Sequence, residues 1–179
     1  MNQKAWDVKR LLYTIRLAVQ ADTSELSRLR VQMDGETENF DREKGEAFLS
    51  AAAFEELIGA DTSSRRNLFL VAVAQGRIVG FSRCEGTDLI RFSHKVEFGV
   101  GVLKVFWGYG IGKNLLRESI LWADADGINK VKLAVLETNE RAITLYKQME
   151  FETEGVLKKD RMLSNGRYYS TVVMSLFHD

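Results

Sequence analysis

The sequence predicts an α/β (α+β) domain with a mixed, mostly antiparallel central sheet and helices on both of its faces. Short β-branched and aromatic runs alternate with segments of helical spacing, and turn residues separate the runs that would pair. No repeat and no linker-like tract divides the 179 residues, and this length suffices for one core. The prediction is therefore a single domain over residues 1–179 with the element order β-α-α-β-β-β-α-β-α-β-β.

The N-terminal half is predicted to hold two helices between a first strand and a hairpin. Leu26, Leu29 and Met33 recur at helical spacing after a polar capping segment. Further on, β-branched runs flank a glycine turn, which is typical of an antiparallel hairpin. The predicted elements are a strand at 11–18, helices at 21–33 and 42–60 with a loop at 34–41 between them, and strands at 67–74 and 77–86 around Gln75-Gly76.

The C-terminal half is predicted to alternate strands and helices before a final hairpin. Asn165-Gly166 is a residue pair that favours a type I′ turn, so it is placed at the tip of that hairpin. The predicted elements are a strand at 95–103, a helix at about 110–126, a strand at 131–136, a helix at about 140–149, and two strands within 151–177.

Composition excludes several classes of function. Lys plus Arg and Asp plus Glu both number 25, so the chain has no net charge with which to hold nucleic acid or an anionic membrane. The one cysteine, Cys84, permits neither an internal disulfide nor a cysteine zinc cluster, and no metal site is expected. No run of about 18 apolar residues and no signal-peptide pattern is present, so we expect a cytoplasmic protein without membrane association.

The segment FWGYGIGKNLL (106–116) places three glycines before a helical pattern. It fits neither a Walker A loop nor a dinucleotide-binding fingerprint, because Trp107, Lys113 and Leu115 occupy positions that those motifs reserve for glycine. The amides of a first helical turn have no intrahelical partners, and they carry the positive end of the helix dipole. Glycines let an anion approach these amides, so the segment predicts a phosphate-binding helix start.

Two segments resemble the motifs of the GNAT superfamily of N-acetyltransferases. VEFGVGVLKVFWGYGIGKNLL resembles motif A, whose signature Arg/Gln-x-x-Gly-x-Gly/Ala matches at Gly110 and Gly112 but has Trp107 at its first position. LETNERAITLYKQMEF resembles motif B, with Glu150 in place of a glycine. The positions of motif B that match are Asn139, Ala142, Leu145, Tyr146 and Phe151.

The resemblance implies a site for acetyl-CoA, with no metal. It implies that backbone amides bind the coenzyme A diphosphate and that a strand upstream pairs with the pantetheine arm. Gly99 and Gly101 are expected to introduce a β-bulge that frees an amide of this strand. The expected cofactor-binding residues are Val100, Val102, Trp107, Gly108, Tyr109, Gly110, Ile111, Gly112, Lys113, Asn139, Ala142 and Tyr146.

Acyl transfer to an amine needs an acid and a base. Tyr146 lies two helical turns after Asn139, and a phenol is protonated at neutral pH when the thiolate leaves. Glu97 lies just upstream of the bend in motif A, where the resemblance implies a glutamate base, and His94 is the alternative. Cys84 lies outside both motifs, which favours direct attack over an acetyl-enzyme.

The sequence predicts the identity of the acceptor less specifically than that of the cofactor. The resemblance implies an N-acetyltransferase acting on a primary amine of a small molecule or amino acid in a ternary complex. Acetylation of a protein N-terminus or lysine and a non-catalytic acyl-CoA-binding module stay open as alternatives, and the terminal strands could pair in a homodimer. The candidate acceptor-binding residues are Glu36, Glu38, Phe40, Arg83, Tyr168 and Tyr169.

Overall fold

A computed structural model describes residues 10–178, so the ends of the predicted domain, residues 1–9 and 179, lie outside it. The described chain forms seven strands and four helices in the predicted order. The elements are β1 (Tyr13–Leu17), α1 (Thr23–Glu36), α2 (Ala51–Ser63), β2 (Leu68–Ala74), β3 (Arg77–Glu85), β4 (Lys95–Val102), α3 (Ile111–Ala125), β5 (Lys130–Leu136), α4 (Glu140–Gln148), β6 (Glu152–Met162) and β7 (Tyr168–Phe177).

All seven strands belong to one sheet with the order β1-β2-β3-β4-β5-β7-β6. β4 and β5 run parallel, whereas the other neighbouring strands described here are antiparallel. The parallel pairing spans only three positions, from Lys95 opposite Lys130 to Glu97 opposite Lys132. Beyond Glu97 the two strands separate, and this separation opens the middle of the sheet.

Helices cover both faces of the sheet, as predicted. Neighbouring residues of β3 show this, because successive side chains of a strand point to opposite faces. Ser82 lies against Ser119 of α3, with the hydroxyl oxygens 3.4 Å apart. Arg83 forms an ion pair with Asp61 of α2 across 2.6 Å. The two surfaces are called the α3 face and the α1–α2 face below.

The predicted boundary of the second helix is wrong at its start. α2 begins at Ala51, where the Ser50 hydroxyl accepts a hydrogen bond from the Ala53 amide. The segment at 42–50 is irregular, with left-handed backbone at Gly45 (φ 85°) and Ala47 (φ 43°). The loop predicted at 34–41 starts later, because α1 continues to Glu36.

The two predicted hairpins differ in their turns. Gln75 and Gly76 both have positive φ (52° and 73°), as a type I′ turn requires. At the second hairpin only Gly166 is left-handed, and its amide bonds to the Leu163 carbonyl across a tight turn. The type I′ assignment at Asn165-Gly166 is therefore wrong, although the hairpin is present.

None of the described helices is both long and apolar enough to cross a membrane. Within residues 10–178, no group of three His, Cys, Asp or Glu side chains is placed to hold a metal ion.

Candidate active site

The opening between β4 and β5 forms the floor of a cleft of about 1300 Å³. The walls come from segments far apart in the chain: the end of α1, β3, the loop before α3, the start of α4 and β6. Most of the predicted site residues line this cleft. They are Phe40, Arg83, Glu97, Val100, Val102, Trp107, Gly108, Gly110, Ile111, Gly112, Lys113, Asn139, Ala142 and Tyr146.

The backbone of β4 presents amides to this opening. The Leu103 amide, just after β4, donates to the Val79 carbonyl across 2.9 Å. This bond shows that the odd-numbered residues of β4 direct their amides towards β3. Since bonding alternates along an antiparallel pair, Val100 and Val102 turn their amides to the opposite side, where β5 has moved away. Two amides therefore point into the cleft without a strand partner.

The mechanism predicted for freeing these amides is wrong. The pairing of β3 with β4 is continuous from Gly80 opposite Val102 to Glu85 opposite Glu97, so no β-bulge lies at Gly99 or Gly101. Separation of β4 from β5 frees the amides instead. The two glycines have different roles: a Cβ at Gly101 would lie 2.7 Å from the Met33 methyl group, whereas a Cβ at Gly99 would meet nothing within 4 Å.

The glycine segment forms the predicted helix start. Gly108 (φ 89°) and Gly110 (φ 81°) are left-handed, and Gly110 is the N-cap of α3. The first helical hydrogen bond runs from the Asn114 amide to the Gly110 carbonyl, so the amides of 111–113 precede the helical ladder. A Cβ on Gly112 would come no closer than 3.9 Å to its nearest neighbour, so packing does not require this glycine.

Trp107 and Tyr109 hold the loop in place. The Trp107 indole N–H donates to the Val102 carbonyl across 2.8 Å, which ties the loop to β4. The indole N–H of the residue that departs from the motif signature is therefore bonded within the protein. Tyr109 packs against the hydrophobic core and, unlike the other expected cofactor-binding residues, does not line the cleft.

Motif B forms the start and middle of α4. The Asn139 side chain caps the helix by accepting a hydrogen bond from the Ala142 amide across 3.3 Å. Tyr146 is 8% exposed and its ring lies 5.7 Å from that of Phe151. Burial raises the pKa of Tyr146 to about 12. Its hydroxyl makes no hydrogen bond to any other described residue, so it is available to a ligand in the cleft.

Of the two candidate bases, Glu97 lies at the point where β4 and β5 separate, whereas His94 lies before this point. Glu97 is exposed on the cleft floor, directly opposite Glu85 of β3. His94 precedes the strand and does not line the cleft, while its carbonyl accepts the amides of Asn129 and Lys130. The geometry thus favours Glu97 of the two candidate bases.

The acceptor candidates divide into two groups. Phe40 and Arg83 line the cleft, although Arg83 is already paired with Asp61 and Glu85. The remaining candidates lie outside it. Glu36 accepts from the Lys104 amide, Glu38 from the Ser164 amide, and the Tyr169 hydroxyl from Asn165, while Tyr168 is 62% exposed.

The model of the acetyltransferase (GNAT) family matches residues 30–151, more than half of the chain. The chain belongs to the GNAT family.

Individual GNAT proteins support this assignment. The L-amino acid N-acetyltransferase AaaT of Escherichia coli (strain K12) is 34% identical over 107 residues, which are 59% of this chain and 65% of that protein. The matched segment thus covers less than two thirds of that relative. An N-alpha-acetyltransferase of Sulfolobus acidocaldarius is 29% identical over 161 residues, or 84% of this chain and 86% of that protein.

Solved GNAT structures share the whole described fold. A GNAT acetyltransferase from Streptococcus pneumoniae superposes with a TM-score of 0.90 at 26% identity, covering 93% of this chain and all of that one. The Salmonella typhimurium acetyltransferase yncA, solved with acetyl-CoA, has a TM-score of 0.82 at 20% identity over 94% of this chain and 95% of that one. The predicted family and fold class are confirmed.

Cys84 does not line the cleft and is not available as a nucleophile there. It is fully buried on the α3 face, and burial raises the pKa of its thiol to about 12.

One cleft residue on β6 escaped prediction. Arg161 lines the cleft, and its guanidinium donates to the Asn39 carbonyl across 3.3 Å. No local motif surrounds it, and only pairing of β6 with β7 brings it to the cleft. Hairpin arginines are common on protein surfaces, so the sequence held no signal for it.

Proposed function

We propose that the protein transfers an acetyl group from acetyl-CoA to the primary amine of a small molecule or amino acid, by direct attack in a ternary complex. The observation that carries this proposal is the pair of free β4 amides beside the glycine-rich start of α3. In a GNAT domain this arrangement suits a thioester carried on a long diphosphate-linked arm.

The residues around the cleft fit acetyl-CoA. The amides of 111–113, with Lys113 beside them, can bind a diphosphate, and the absence of a side chain at Gly112 keeps that approach open. Val100 and Val102 offer backbone groups to the pantetheine arm, with the Val102 carbonyl already accepting from Trp107. Asn139 and Ala142 lie on the adjoining wall. We call 107–113 with 139–146 the cofactor half of the cleft.

Acetyl-CoA, when bound, supplies the thioester whose carbonyl carbon is attacked and whose thiolate leaves. The Val100 amide can donate to the carbonyl oxygen, and a donor of this kind contributes about 3–4 kcal/mol in other acyl-transfer enzymes. Tyr146 can donate to the departing sulfur. Burial raises the pKa of Tyr146 to about 12, well above that of a thiol. Tyr146 should therefore stabilise the departing thiolate mainly by donating a hydrogen bond and not by transferring its proton completely.

Glu97 is the base that accepts the proton of the amine, directly or through a water molecule. It lies on the α1–α2 face with Phe40, Arg83 and Arg161, and we call this side of the cleft the acceptor half. Direct transfer requires no enzyme nucleophile, which agrees with the burial of Cys84.

The test is release of free thiol from acetyl-CoA in the presence of amines, amino acids and short peptides, with acetylated products identified by mass. Acetyl-CoA affinity is measured in parallel by calorimetry. Amine-dependent release supports the enzyme. Tight binding without release for any acceptor favours the non-catalytic acyl-CoA-binding module, and absence of binding contradicts the proposal.

Acetylation of a protein N-terminus is the second candidate, and the N-alpha-acetyltransferase relative favours it. Two contacts join the loop after α1 to the last hairpin and would obstruct an extended chain: Glu38 accepts from the Ser164 amide, and Arg161 donates to the Asn39 carbonyl. We therefore place small acceptors first, with the peptides of the panel as the direct comparison. A homodimer stays a prediction; the edge strand β6 exposes Val156 and Leu157.

A further inference from the structure

We propose that the acceptor is an α-amino acid with an apolar side chain, and that Arg161 binds its carboxylate. This inference rests on the proposed acetyltransferase function and names the acceptor class for the same cleft. It assigns Arg161 as a specificity-determining residue.

The sheet register directs Arg161 into the acceptor half. Arg161 pairs with Tyr169 of β7, so the two side chains share a face of the sheet. The pairings of β7 with β5 and of β5 with β4 show that Glu97 lies on this same face. Between Leu157 and Arg161, β6 carries two more residues than β7, and Lys159 is left-handed (φ 52°). Such bulges next to active sites commonly redirect a side chain. Arg161 is half-buried there, so its charge is partly withdrawn from water.

Arg161 differs from the other arginines of the acceptor half. Arg83 is held by Asp61 and Glu85. Arg42 is held by Asp34 and Asp41, and these two carboxylates also act on Arg30. No described carboxylate lies within ion-pair distance of Arg161. Its bond to Asn39 uses one of five N–H groups, so it retains donors for a planar anion.

The rest of the acceptor half suits the other parts of an amino acid. Glu97 on the same face can receive the proton of the amine through water molecules in the cleft. The wall between α1, α2 and the sheet is apolar, with Met33, Phe40, Leu49, Leu57, Phe69 and Phe81 facing the cleft. An amine, a carboxylate and an apolar side chain on one carbon match these three surroundings, whereas a peptide N-terminus has no carboxylate at that position.

The experiment compares leucine and phenylalanine with their amides, using thiol release at saturating acetyl-CoA. Rates are expressed per neutral amine, since the amides have more acidic amino groups. Wild type should favour the free carboxylate by about 10- to 100-fold in kcat/KM, as expected for a charge-assisted pair. In Arg161→Gln that ratio should fall towards one, through a higher KM for the amino acid. Arg161→Lys should restore part of it.

Arg167→Gln is the matched control, because it removes the same charge from the exposed tip of the same hairpin outside the cleft. It should keep the wild-type ratio. Equal use of acids and amides by wild type, or an unchanged ratio in Arg161→Gln, would overturn this inference alone. Preference for peptides over both would overturn it in favour of N-terminal acetylation. No thiol release with any acceptor would overturn the proposed function together with this inference.

Discussion

The cofactor half and the acceptor half of the cleft are built in different ways. The cofactor half consists of two short segments in which backbone amides and helix starts provide the binding groups. The acceptor half depends on side chains that bond to backbone groups far away in the chain. Arg161 donates to the Asn39 carbonyl and Glu38 accepts from the Ser164 amide, and these pairs are 122 and 126 residues apart. The cofactor half can bind the same cofactor in every reaction, whereas side chains of the acceptor half can change, and with them the acceptor specificity, without a change of fold.

The largest effect is expected in the cofactor half, from Tyr146→Phe. Loss of the hydroxyl should lower kcat by about 100-fold, near the lower limit for a positioned acid because its pKa is already raised to about 12. The affinity for acetyl-CoA should change little, since the ring and its packing against Phe151 remain. Steady-state kinetics and calorimetry measure the two quantities.

Tyr168→Phe serves as the comparison, because this tyrosine is 62% exposed and lies outside the cleft. Equal turnover in Tyr146→Phe and wild type would remove Tyr146 from the mechanism. The pH profile adds a second check: Tyr146 stays protonated up to its raised pKa, so kcat should not fall between pH 7 and pH 10, a range set by the ordinary tyrosine pKa of about 10.

The next effect tests the base, Glu97, in the acceptor half. Glu97→Gln should lower kcat/KM for the amine by roughly 100-fold, the lower limit of general base catalysis. Glu85→Gln, at the position directly opposite on β3, makes the same change of charge. If both variants lose activity equally, Glu97 acts through its charge, and the assignment as a base is wrong.

A smaller effect separates binding from packing at the start of α3. Gly112→Ala should stabilise the protein by about 1 kcal/mol, since alanine favours a helical turn. The same methyl group should weaken acetyl-CoA binding by about tenfold, the equivalent of one charge-assisted hydrogen bond. The free energy of unfolding, measured with denaturant, should thus rise, whereas the affinity for acetyl-CoA, measured by calorimetry, should fall.

Gly110→Ala should behave differently, because its φ of 81° strains any other residue and a loss of about 1–2 kcal/mol of stability is expected. Tight binding of acetyl-CoA to Gly112→Ala would show that the diphosphate lies elsewhere.

The smallest effect is expected beside the acceptor half, from Glu38→Gln. The hydrogen bond from Ser164 lowers the pKa of this fully exposed carboxyl, so the contact is made by the charged form. The variant should raise KM for the amine by about threefold and leave acetyl-CoA affinity unchanged. The difference should vanish in acid, as the pH falls through the lowered pKa. A change in acetyl-CoA affinity instead would mean that the two halves are coupled.

The sequence predicted the cofactor half better than the acceptor half for a physical reason. Gly110 and Asn139 act on backbone groups within three or four residues, so local sequence determines their geometry. The opening at Val100 was placed correctly but attributed to a bulge, because separation of β4 from β5 depends on tertiary packing. The start of α2 was misplaced because alanine and glutamate at 42–50 favour a helix that the left-handed Gly45 and Ala47 prevent.

Complete burial of Cys84 has a practical consequence for every thiol-based measurement on this protein. The sole cysteine lies under α3 at the centre of the sheet, and its raised pKa leaves almost no reactive thiolate in the native state. A colorimetric thiol reagent therefore counts coenzyme A without a background from the folded enzyme. Labelling of Cys84 itself requires α3 to leave the sheet. The rate of labelling in denaturant therefore measures the rate at which the core opens at this one site.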